Sequence, residues 1–63
     1  MKTAKIRAMI QTAITQYANY DKSVKEDTML SELARWDDEF VQEHYEATGG
    51  DIDEIVSCIA SNA

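Results

Sequence analysis

The sequence predicts an all-α fold, a small three-helix bundle, on three observations. Apolar residues recur at steps of three and four along most of the chain, which is the period of a helix face. No segment alternates apolar and polar residues as a half-buried strand would, and no proline interrupts a helix. The two glycines stand together at Gly49-Gly50, behind one apolar stripe and ahead of an acidic cap, where one helix should stop and another start.

The first predicted helix covers about residues 2–20, with Ile6, Ile10, Ala13, Ile14 and Tyr17 as its stripe and Met9 on the flank. Asn19-Tyr20-Asp21-Lys22-Ser23 then gathers residues that prefer turns, with Lys22 and Lys25 placed to complement the negative end of the helix dipole. The second predicted helix runs over about residues 24–47. Ser23 and Glu26 have the spacing of a capping box, and Asp27 adds an acid to the first turn; Asp27 or Thr28 would equally cap a later start. Its apolar positions are Leu30, Leu33, Ala34, Trp36, Phe40, Val41, Tyr45 and Ala47, a stripe wide enough to touch two neighbours. The third predicted helix covers about residues 52–61. Asp51 caps it, Glu54 holds the reciprocal position, and Ile52, Ile55, Val56 and Ile59 line one face. The expected core comprises Ile6, Met9, Ile10, Ala13, Ile14, Tyr17, Leu30, Leu33, Trp36, Phe40, Val41, Tyr45 and those four residues, within one helical domain over residues 1–63.

Charge is unevenly placed along this frame. Residues 1–25 carry Lys2, Lys5, Arg7, Lys22 and Lys25 against Asp21, a balance of +4; residues 26–63 carry Arg35 against eleven acids, a balance of −10, which together make the net −6. The acidity therefore belongs to the second and third predicted helices. A basic partner, a second copy of the chain, or the chain's own first helix would satisfy it.

Several function classes are disfavoured by the residues present. A net charge of −6 opposes nucleic acid as the main partner, and the helix after Gly49-Gly50 carries three acids and no base, unlike a recognition helix for the major groove. Lys2, Lys5 and Arg7 would support only weak association with nucleic acid or a membrane. The sole cysteine, Cys58, precludes an intrachain disulfide, so a cytoplasmic location is expected; polar residues interrupt the first helix before signal-peptide length. Cys58 and His44 alone do not make a metal site, since Zn²⁺ takes four ligands. No cofactor and no small-molecule substrate are expected. A chain of 63 residues with no nucleophile elbow or phosphate loop is not expected to be an enzyme.

The stretch Ala47-Thr48-Gly49-Gly50-Asp51-Ile52-Asp53-Glu54-Ile55-Val56 resembles the join between the last two helices of ubiquitin-associated domains, which are also three-helix bundles. The Met-Gly-Phe/Tyr loop of that family has no counterpart in Asn19-Tyr20-Asp21-Lys22-Ser23, so the resemblance implies shared helix-turn chemistry and carries no binding residue over. In type, the chain is similar to small free-standing acidic proteins of bacteriophages and mobile elements, many of which inhibit host machinery.

The function expected from these features is a small acidic protein-binding module that modulates or inhibits a partner with a basic surface, presenting a nucleic-acid-like acidic face to a basic groove. Glu32, Asp37, Asp38, Glu39, Glu43 and Glu46 are the predicted partner-binding face, with Tyr20 and Tyr45 as aromatic anchors at its margin. A charged face also serves solubility alone. The alternative is a homo-oligomer that buries the excess apolar width around Trp36, Phe40 and Tyr45.

Overall fold

The structure is a computed structural model and describes residues 2–63. Four helices follow one another, α1 (Thr3–Tyr20), α2 (Glu26–Arg35), α3 (Asp38–Ala47) and α4 (Ile52–Asn62), and no strand occurs among the described residues. The all-α expectation holds, and the helix count is corrected from three to four. The segment predicted as one helix over residues 24–47 breaks at Trp36-Asp37.

Two local features and one distant residue make the break. Trp36 and Asp37 adopt extended backbone, with ψ of 124° and 172°. The Asp37 carboxylate accepts the Phe40 backbone N–H at 2.8 Å, which caps α3, while Asp38 and Glu39 occupy its first turn at the positive end of the dipole. The acidic triplet is thus a helix start. From α1, the Arg7 guanidinium donates to the Trp36 carbonyl at 2.9 Å and to the Leu33 carbonyl at 3.0 Å, the latter shared with the Trp36 N–H that closes α2. The same guanidinium pairs with Asp38 at 3.0 Å.

The break also resets which residues face inward. On an unbroken helix Phe40 would share the face of Leu33, about 20° away, and Val41 would lie about 80° round. In the structure Val41 is fully buried and Phe40 is 39% exposed. Met29, absent from the expected core, is buried, whereas Leu30 is half-buried against the core. Tyr17, expected inside, is 36% exposed. The observed centre is Ile6, Ile10 and Ile14 of α1, Met29 and Leu33 of α2, Trp36, Val41 of α3, and Ile55, Val56 and Ile59 of α4. Helix α1 packs on the other three, and α2 and α3 each pack on α4. Fully burying an isoleucine contributes about 1.5–3 kcal/mol, so the α1 stripe is a principal source of stability.

The turns explain two further outcomes. Ser23 does not cap α2: its hydroxyl and backbone N–H both donate to the Asp21 carboxylate, at 2.7 and 3.0 Å, and α2 begins at Glu26 behind Lys25 without a side-chain cap. Asp21, three residues upstream of Val24, wins because a carboxylate accepts two bonds within one tight turn. Between α3 and α4, Gly50 N–H bonds to Tyr45 O at 2.8 Å and Gly49 N–H to Glu46 O at 3.1 Å, the paired bonds of a Schellman motif. Gly49 and Gly50 have φ of 66° and 83°, the left-handed region that glycine alone enters cheaply. The expected cap on the last helix is present, with the Asp51 carboxylate accepting the Glu54 N–H at 3.2 Å.

Candidate binding groove

Because α2 stops at Trp36 and α3 leaves in a new direction, the side chains around the break diverge and leave an open groove of about 620 Å³ between the α2–α3 corner and the end of α4. Its aromatic floor comes from the spacing Trp36, Phe40, His44. The Trp36 and Phe40 rings meet edge to face at 4.7 Å, and His44 stacks obliquely on both, 4.5 Å from Trp36 and 4.3 Å from Phe40. Trp36 is 6% exposed and ties its indole N–H to Glu32 at 3.3 Å, so Phe40 is the ring most open to solvent. The Phe40 carbonyl lies 3.0 Å from His44 Nδ1; a carbonyl only accepts, so Nδ1 is the donor in this contact, which fixes the ring over the floor.

Four carboxylates rim this floor: Glu32, Asp37, Glu39 and Glu43. Against them stands Arg35, whose largely exposed guanidinium lies 3.7 Å from Glu32, leaving the groove at −3 with His44 neutral. The carboxylates differ in availability. Glu32 is engaged by Trp36 and Arg35, and Asp37 holds the α3 cap. Glu39 and Glu43, one turn apart on α3, form no ion pair among the described residues. Cys58 and Asn62 of α4 close the far side.

The predicted face is thus divided by the structure. Glu32, Asp37, Glu39 and Glu43 meet in the groove; Asp38 turns to Arg7, and Glu46 is exposed further along α3. Tyr20 is 90% exposed in a separate hollow between α1 and α4, beside Tyr17 and Asp53. Tyr45 is half-buried against the core, beside Gly50. Phe40 and His44 were missing from the predicted site, and their spacing with Trp36 at four-residue steps is the signal that marks them.

Other features bear on the remaining expectations. Among the described residues no group of three His, Cys, Asp or Glu side chains is placed to hold a metal ion, and no helix is long and apolar enough to cross a membrane. Arg7, expected with Lys2 and Lys5 to support weak anion contact, is occupied within the fold. Hydrogen bonds from the Ser23 hydroxyl and then its backbone N–H hold the Asp21 carboxyl below the usual aspartate value.

The fold and groove define a small all-α chain with an acidic, aromatic-floored surface. Comparison with known proteins finds no family model, no curated protein and no solved structure that matches it.

Proposed function

We propose that this chain is a non-catalytic protein-binding module that modulates or inhibits a partner through a basic surface of that partner. The observation that carries this reading is the groove itself, where half-exposed Phe40 and His44 lie beside the unpaired carboxylates of Glu39 and Glu43. Aromatic rings supply contact area at small entropic cost, and surrounding charge of one sign steers a partner of the other. In the inhibitory form, the carboxylates stand where a basic partner would hold phosphates, and nucleic acid competes with the chain. The module acts in the cytoplasm, the host cytoplasm if the gene belongs to a phage.

The test is capture of binding proteins by the immobilised chain at low and high salt, using wild type, the pair Glu39→Gln/Glu43→Gln, and Asp53→Asn outside the groove. The expected result is a defined basic protein retained by wild type and Asp53→Asn, released by high salt and lost with the α3 pair. Retention by the α3 pair equal to wild type would refute the groove as the binding surface. Sedimentation of the isolated chain tests the oligomeric alternative, which requires a dimer at working concentration.

A further inference from the structure

We infer that the groove anchors its partner by an arginine side chain, whose guanidinium lies on Phe40 and His44 and donates to Glu39 and Glu43; this rests on the reading of the groove as a binding surface for basic proteins. Two observations select arginine over lysine. The floor is aromatic and partly open, with Phe40 39% exposed, and a planar, weakly hydrated guanidinium stacks on such a ring where a compact ammonium retains its water. The acceptors are dispersed: the carboxylates of Glu39 and Glu43, one turn apart on α3 and without ion pairs among the described residues. Five N–H donors in one plane can serve acceptors on more than one side while the face remains stacked, which a single ammonium on a flexible stem does less well.

The charge balance adds a constraint from within the chain. Arg35 is the only Lys or Arg on the groove wall, and its 3.7 Å approach to Glu32 leaves it largely exposed. It is a competitor of like charge for any incoming cation. At about 620 Å³ the groove is within the range of about 300–1,000 Å³ of ligand sites and admits neighbouring residues of a peptide as well as one side chain.

The single tryptophan is in the groove, so its emission reports occupancy directly. Blocked tetra-arginine and tetra-lysine peptides, equal in length and charge, are titrated against the full chain at low salt. The expected result is a change in Trp36 emission with tetra-arginine binding about two- to fivefold more tightly than tetra-lysine, the range that cation–π stacking at an exposed site provides. Phe40→Leu, which keeps an apolar side chain at a partly exposed position, should remove that preference while retaining charge-driven binding. Arg35→Gln should tighten both peptides, a change of sign that damage to the fold would not produce. Equal affinity for the two peptides, with both lost in Glu39→Gln/Glu43→Gln, would overturn the arginine assignment and leave the basic-partner reading in place. If neither peptide alters Trp36 emission or groove amide shifts, both readings fall. A self-associated chain in which the groove is filled by a second copy and excludes both peptides would also overturn the assignment.

Discussion

Replacing Arg7 by glutamine tests whether the helix break is held from a distance. The wild-type guanidinium makes two bonds to backbone carbonyls, at 3.0 Å to Leu33 and 2.9 Å to Trp36, and one ion pair at 3.0 Å to Asp38. Hydrogen bonds from a charged donor are worth about 1.5–3 kcal/mol each, and the Arg7 side chain is 23% exposed, so the lower end applies to both. Asp38 is 78% exposed on its side chain, which limits the ion pair to about 0.2–1 kcal/mol. The expected loss for Arg7→Gln is about 3 kcal/mol, set mainly by the carbonyls. A chain of this size has a total stability of about 3–9 kcal/mol, so the variant approaches half-unfolding at the lower bound. Thermal and urea unfolding followed by circular dichroism would read this as a fall in Tm of about 12–24 °C. Asp38→Asn should cost under about 1 kcal/mol. Arg7→Lys should recover less than half of the loss, because an ammonium lacks the fork that spans both carbonyls. An Arg7→Gln change below about 0.5 kcal/mol, or an Asp38→Asn cost equal to it, would refute the carbonyl-capping argument.

Three further outcomes are expected. Met29→Ala should destabilise by about 2–5 kcal/mol and Leu30→Ala by clearly less, measured by urea unfolding, because Met29 is 1% exposed while Leu30 is half-buried at the core's edge. Gly50→Ala should cost more than Gly49→Ala in the same assay: both positions have positive φ, at about 1–2 kcal/mol for a non-glycine residue, but an added Cβ at Gly50 would also lie 3.3 Å from the Tyr45 ring, whereas Gly49 faces open space. The Asp21 carboxyl, lowered mainly by the Ser23 hydroxyl, contributes fully above the ordinary aspartate range and loses its contribution as pH falls through the lowered folded value. A carbon-13 titration should therefore show the Asp21 midpoint below the usual value in wild type and raised towards it in Ser23→Ala; an unchanged midpoint would exclude the hydroxyl as the main cause.

Legibility in the sequence followed the range of the interactions. The Ile6, Ile10, Ile14 stripe and the Ile55, Val56, Ile59 face were legible because periodicity records burial along a single straight helix. The groove was half legible: carboxylates at four-residue spacing mark Glu39 and Glu43, but on a continuous helix Phe40 shares the face of Leu33 and so reads as core. Asp37 followed by two acids has the composition of a helix start, a signal masked by the unbroken apolar pattern on both sides.

By itself the sequence determined the helical class, the extent of α1, the glycine turn, the Asp51 cap and the concentration of acid after residue 25, all set by neighbours within about one helical turn. Only the tertiary structure decided that residues 26–47 form two helices, that Met29 and Val41 face inward, and that Phe40 and His44 open onto a groove. The physical reason is range: the Asp37 cap is local and was masked by the apolar pattern around it, while the Arg7 guanidinium reaches carbonyls 26 and 29 residues further along the chain, a span no local pattern of residues records.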